Sequence, residues 1–210
     1  MYYVLFDVET TGLTSKDEII QFSAFIFDKP DFKTLKNLVD FYCFTTIPIK
    51  KDAERIHGIS PANLVKWSNK KFFEEQFLPL VRHLGPDVTW VNYSNTLFDI
   101  RMINQTLQNA NLEPMNFGTR VYNFEATEGI HHLDLMTLMS NKLNGNSRAI
   151  SLRNALAKTK GFNQQTFDIM YQNMNKKLAE SCPENKELQK KYHCARYDAF
   201  AMWYLLMKNA

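Results

Sequence analysis

Cysteine is scarce in this chain. Cys43, Cys182 and Cys194 are the only three among 210 residues. Odd in number and far apart, they exclude a disulfide framework and a C-x-x-C zinc site, and they fit a reducing, cytoplasmic setting. No run of ~18 uncharged apolar residues occurs, and no basic stretch precedes a long apolar one at the N-terminus. The protein is therefore expected to be soluble, neither exported nor membrane-spanning. Charge of one sign is also lacking: the net charge of +3 is too small to establish a nucleic-acid partner by itself. The pairs Lys50-Lys51, Lys70-Lys71, Lys176-Lys177 and Lys190-Lys191 could supply local positive field, although solvated surface explains any one of them. Low-complexity linkers and internal repeats are missing too. With 45% hydrophobic and 22% charged residues, the composition is that of a single α/β domain over residues 1–210.

Three segments rich in Val, Ile, Phe and Tyr and bounded by turn residues read as strands at about 2–9, 18–28 and 38–46, a meander that opens the domain. Beyond residue 52 helices alternate with short strands. A helical stretch near 70–83 precedes a strand at "DVTWVNY" and a helix over "FDIRMINQTLQNA", in which Met102, Ile103 and Leu107 have helical spacing. Further helices are expected near 134–142, 151–160, 163–180 and 192–208. Such alternation implies parallel pairing in a sheet covered by helices. Residues 111–131 show the weakest pattern and read as a long loop or irregular connection beside the site.

The first strand ends in Asp7 and Glu9, followed at once by Thr10-Thr11-Gly12. Residues two apart on a strand point to the same side with Cα atoms roughly 6.5 Å apart, so the two carboxylates converge. They repel at neutral pH unless solvated, protonated or bridged by a hard divalent cation. A strand fraying into a polar turn is the plain alternative. Asp99 opens the helix after the fourth strand, with Asn95 as a candidate cap, and by itself it is only an acid favoured by the helix dipole. In "YHCARYDAFAMWYLL", His193 and Asp198 are five residues apart, about 140° and ~7.5 Å in a helix, so they cannot closely share a face. If the helix begins near Cys194, a rigid Asp198 lies beside a movable imidazole able to take a proton from water. An exposed His and a surface Asp are the ordinary alternative for that segment alone.

Taken in order, Asp7-Val8-Glu9-Thr10-Thr11-Gly12-Leu13, Asn95-Thr96-Leu97-Phe98-Asp99 and His193-Cys194-Ala195-Arg196-Tyr197-Asp198 resemble the three motifs of the DnaQ-like, DEDDh class of 3′-to-5′ exonucleases. "DEIIQFSA", "RIHGIS", "HLDLMTL" and "SLRNALAKTKGF" extend the likeness over most of the chain. Tyr93-Ser94, where many members have Gly-His, and residues 111–131 depart from it.

The resemblance implies an RNase H-like fold, a mixed five-stranded sheet with three antiparallel strands then parallel ones, flanked by helices. It implies two divalent metals, Mg²⁺ or Mn²⁺, bound by Asp7, Glu9, Asp99 and Asp198, with His193 as general base. It also implies that Thr10, Thr11, Gly12 and Leu13 hold the terminal nucleotide, with Asn95, His57 and Ile59 nearby. Phe98 reads as core, and Asp134 as near the site but outside the metal shell. The implied partners are 3′ ends of single-stranded DNA or RNA, DNA being favoured, and a polymerase or replication complex. A catalytically silent nucleic-acid or polymerase-binding module would show damage among the five catalytic positions, and none is damaged. An endonuclease of the same superfamily would share the acids without requiring both the Glu-Thr-Thr-Gly turn and the His-x-x-x-x-Asp ending.

Overall fold

A computed structural model describes residues 1–94, 96–125, 128–145, 148–181 and 194–209, the side chains of 177–181 excepted. Strands β1 (Tyr2–Thr10), β2 (Ile19–Phe27) and β3 (Leu35–Tyr42) form the expected antiparallel meander. Helices α1 (Lys51–His57), α2 (Pro61–Trp67) and α3 (Phe73–Leu84) lead to β4 (Val88–Asn92), which pairs parallel with β1. Then follow α4 (Phe98–Asn109), β5 (Thr119–Val121), β6 (Ile130–Asp134), α5 (Leu135–Asn144), α6 (Leu152–Lys158), α7 (Gln164–Ser181) and α8 (Ala195–Asn209).

The sheet runs β3-β2-β1-β4-β6-β5 and has six strands, which corrects the expected five. The sixth is β5, inside the segment read as irregular. Three residues, Thr119, Arg120 and Val121, carry too little pattern to announce a strand; pairing with His131, His132 and Leu133 of β6 makes them one. Their approach begins at Gly118, at φ +67°, where a Cβ would lie 1.6 Å from the Ile130 carbonyl oxygen. Helices α1 and α2 were also not read as separate elements. At two turns each they are too short for periodicity, although Ser60 before Pro61 is a start signal: its Oγ accepts the Asn63 N–H at 3.2 Å.

Both faces of the sheet are covered, which explains why β2 is buried along its whole length and shows no alternation. Tyr3, Leu5, Phe25 and Phe27 pack against α5, α6, α7 and α8. Val4, Phe6, Phe22 and Trp90 face the opposite way, against α3 and α4. Strand β1 thus lies between two cores and is held from both sides. Helix α8 has Arg196, Tyr197, Phe200, Met202 and Leu205 all buried, as expected of a helix enclosed by sheet and neighbouring helices. No helix among the described residues is long and apolar enough to cross a membrane.

The second core is aromatic. Phe22 has ring centroids 5.9 Å from Phe6, 5.3 Å from Phe41 and 5.4 Å from Phe77. Truncation leaves a cavity that rigid neighbours cannot close, so Phe22→Ala should cost about 3–5 kcal/mol in urea unfolding. A loss under about 1 kcal/mol would show that this layer collapses freely.

Candidate active site

At the carboxyl end of β1 the register with β2 shifts: Glu9 pairs with Gln21, and Thr10 with Ile19. The bulge bends the chain directly after the acid pair. Asp7 and Glu9 share a face, and Asp198, in the first turn of α8, joins them. One carboxylate oxygen from each lies within 4.8 Å of those of the other two. Asp99 comes from α4, whose N-cap Leu97 takes a left-handed φ of 55°, a strained conformation for a residue with a branched side chain. It is buried, accepts from Asn92 Nδ2 at 2.9 Å, and is electrostatically coupled to Asp7 and Asp198.

Burial, and then mutual repulsion, pushes Asp7 and Glu9 well above the ordinary carboxylate range. Burial, with Asp99 adding to it, raises Asp198 to about 7. Burial raises Asp99 to about 6, against the lowering hydrogen bond from Asn92. Among the described residues no cation is hydrogen-bonded or ion-paired to these four acids, so only protons or bound metal ions can relieve their repulsion. The donors are all oxygen. Cys194 lies near Asp7, but burial lifts its thiol to about 11, and its Sγ faces Gln21 Nε2 at 3.7 Å. An all-carboxylate set fits Mg²⁺ or Mn²⁺, the hard cations such donors hold. Asp134 stays out of the set: it caps α5 through Met136 N at 2.9 Å and accepts from Thr137 and Arg120.

Beside the acids opens a cavity of about 410 Å³, within the ~300–1,000 Å³ range of small-molecule sites. Glu9, Thr10, Gly12, Leu13 and His57 line it, together with Lys50, Ala53, Ile56 and Phe98. Leu13 stands 72% exposed at its mouth. Two expectations need correction. Thr11 is fully buried and its hydroxyl is spent inside the turn, donating to Asp17 Oδ1 at 3.0 Å and accepting the Glu18 N–H at 3.0 Å. Ile59 is core, packed with Ile20, Tyr42 and Leu64; its N–H donates to His57 Nδ1 at 3.0 Å and so orients the ring that does line the cavity. Phe98, read as core, is half-buried, packs against the second core and also forms part of the wall. Asn95 and His193 lie outside the described residues; the Phe98 N–H donates to Ser94 Oγ at 3.2 Å at the start of α4.

Lys50 was not read as a site residue. Its Nζ donates to Asp17 Oδ2 at 2.5 Å and to Thr14 Oγ1 at 3.0 Å, while its N–H donates to the Thr11 carbonyl at 2.9 Å. Burial would raise Asp17, but the hydrogen bonds from Lys50, Thr14 and Thr11 outweigh it and hold the carboxyl at about 2. Gly12 is needed for this clamp rather than for a left-handed turn: a Cβ there would sit 2.6 Å from Lys50 Cδ and 2.8 Å from Asp17 Oδ2. Ala53, Ile56 and His57, spaced i, i+3 and i+4 in α1, were the sequence signal for the far wall. Burial lowers His57 to about 4, so it is neutral at physiological pH. With Nδ1 accepting from Ile59, the ring proton sits on Nε2.

The pattern of the exonuclease family (RNase T type) matches residues 4–206. The DNA polymerase III PolC-type protein of Ureaplasma parvum serovar 3 is 32% identical over 114 residues, 54% of this chain and 8% of that protein. In fold, the chain is similar to Escherichia coli exonuclease I in a complex with single-stranded DNA: TM-score 0.62, 19% identity, 99% of this chain and 40% of the other. A complex of the same enzyme with a dA16 oligonucleotide gives a TM-score of 0.63 at 17% identity, covering 97% and 39%. The exonuclease I of Methylocaldum szegediense gives 0.56 at 18% identity, covering 75% and 35%. The chain thus spans less than half of each of these proteins.

The crowded acids make stability depend on pH. Between about pH 5 and 8 unfolded carboxylates are already ionised, whereas the native cluster still holds protons, since Asp99 is raised to about 6 and Asp198 to about 7. The native state binds more protons there, so stability falls as pH rises. In EDTA the melting temperature should drop across this window, and millimolar Mg²⁺ should remove the drop. A melting temperature independent of both pH and Mg²⁺ would contradict the cluster.

Proposed function

The chain belongs to the exonuclease family, and from that premise we propose that it is a DnaQ-like 3′-to-5′ exonuclease that shortens single-stranded DNA from a free 3′ end, releasing one nucleoside monophosphate at a time. The observation that carries this reading is that Glu9 belongs both to the acid cluster and to the wall of the 410 Å³ cavity, so a terminal nucleotide seated there presents its phosphodiester to the acids. We take DNA over RNA as the substrate because the relatives above include a DNA polymerase and an exonuclease I solved with DNA. The polymerase relative also supports work beside a replication complex, which the cluster and cavity do not themselves require.

In this reading Asp7, Glu9, Asp99 and Asp198 hold two divalent cations. When bound, such ions supply Lewis-acid charge to the attacking water and to the leaving 3′ oxygen. The chain's own residues do the rest. Leu13 and Phe98 offer apolar surface to the terminal base and sugar, and neutral His57 forms part of the cavity wall. Lys50, locked to Asp17, keeps the turn from Thr10 to Gly12 in place under the nucleotide. His193, next to Cys194 in sequence, takes the proton of the attacking water. His57 cannot substitute for it, because its Nδ1 is engaged and its pKa lies too low.

Asp7→Asn removes one charge at nearly constant volume; it should keep the fold and lower turnover at least ~10³-fold, while EDTA abolishes the wild-type rate. The free-end requirement is tested with matched linear and covalently closed single strands, in DNA and in RNA. Cleavage of the closed circle at the linear rate would sink the exonuclease geometry, and faster loss of RNA would overturn the DNA preference. His193→Ala should reduce turnover by roughly 10²- to 10⁴-fold, with Mn²⁺ binding retained. A rate within a few-fold of wild type would remove His193 from the mechanism.

A further inference from the structure

Asp198 must reach the acids of β1 from a different element, and the start of α8 is fixed from the side. Ala195 N–H donates to Gln21 Oε1 at 3.3 Å, and Gln21 Nε2 donates to Asp40 Oδ1 at 3.0 Å. Arg196 Nη2 donates to Asp40 Oδ2, and its Nη1 donates to Asn175 Oδ1 of α7 at 3.1 Å. Arg196 and Asp40 have side chains only 2% and 4% exposed. Gln21 faces Glu9 directly across the β1–β2 ladder, and Asp40 continues the row that runs from Asp7 through Ser23. One polar network therefore joins β2, which pairs with the strand carrying the first two acids, and β3 to the helix carrying Asp198. Within that helix, the first turn is closed by Asp198 N–H donating to the Cys194 carbonyl at 3.0 Å.

We propose that the buried Asp40–Arg196 pair, with Gln21, is a positioning device for the metal centre: it sets the distance of Asp198 from Asp7 and Glu9. An ion pair in such a place is a poor way to gain stability, since removing two charges from water costs about as much as their attraction returns. Its planar fork instead fixes a direction. Arg196 bonds β3 and α7 at once, which a single ammonium point charge cannot reproduce. Neither residue touches the acids; both act through the placement of α8. The inference rests on reading the acids as a cation site.

The test uses the full chain and compares wild type, Arg196→Lys, and the double variant Asp40→Leu/Arg196→Met. Mn²⁺ binding is followed from the electron paramagnetic resonance signal of the free ion, and melting temperature and decay of a 3′-labelled single strand are measured in parallel. Exchanging the whole pair for apolar side chains should return the melting temperature to the wild-type level or above it. Mn²⁺ affinity should nevertheless stay at least ~10-fold weaker in that variant, and in Arg196→Lys, because the fork is gone. A merely structural pair would recover stability and Mn²⁺ affinity together, and wild-type affinity in either folded variant overturns the proposal. If the double variant does not fold, Arg196→Lys decides by the same affinity comparison. Wild type that binds Mn²⁺ but leaves 3′ ends intact would refute the nuclease reading while the affinity comparison still judges the positioning role.

Discussion

Carboxylates crowded together away from water repel one another, and the architecture around β1 is what holds them there. Asp7 and Glu9 cannot separate, because their strand is packed on both faces, paired with β2 through both residues and with β4 as far as Leu5. Asp198 cannot withdraw, because α8 is enclosed and tied to the sheet through Gln21 and Asp40. Asp99 is held by Asn92 at the end of the neighbouring strand. Each tether converts packing energy into electrostatic strain. The strain is relieved by protons or by cations, and at neutral pH hard cations are the effective relief.

The second rigid body is the turn that follows the acids. Asp17 binds Thr11, Thr14 and Lys50, and α4 braces the same turn from the other side, through Gln105 Nε2 to the carbonyls of Thr14 and Asp17, and through Thr106 Oγ1, which accepts the Ile19 N–H at 3.1 Å. Since α4 also carries Asp99, the cavity floor and one acid move as a unit. A phosphodiester placed by the cavity therefore meets acids in a fixed relation to it, and such fixed geometry is the larger part of what a protein contributes when the chemistry is supplied by bound ions.

The two clamps differ in exposure, and the difference has a physical consequence. Lys50 is about half exposed, so its pair with Asp17 contributes modestly and is sensitive to salt. Arg196 and Asp40 are nearly inaccessible, so breaking either one leaves the other charge buried and unpaired. Salt should thus weaken the Lys50 contact, while the pair at the start of α8 is shielded from it.

Periodicity and strand composition placed the meander, β4, α4 and the helices from 135 onward close to where the structure has them, because long apolar stretches on buried elements leave a strong pattern. The spacing of Asp7 and Glu9 already required that they converge, since strand geometry is local. Three ordered motifs tied them to Asp99 and Asp198, although no local rule joins residues so far apart. Only the tertiary structure decided the rest. Val121 becomes part of a strand because β6 lies beside it, and Thr11 turns inward because Asp17 and Glu18 use its hydroxyl. Ile59 enters the core and leaves His57 at the cavity, while Lys50 becomes part of the wall through a partner 33 residues away. The sequence by itself determined the longer elements and the convergence of Asp7 with Glu9, because backbone geometry and the hydrophobic pattern act over a few residues. Which side chains face the cavity and which are consumed in holding it was decided by hydrogen-bond partners that only folding brings within reach.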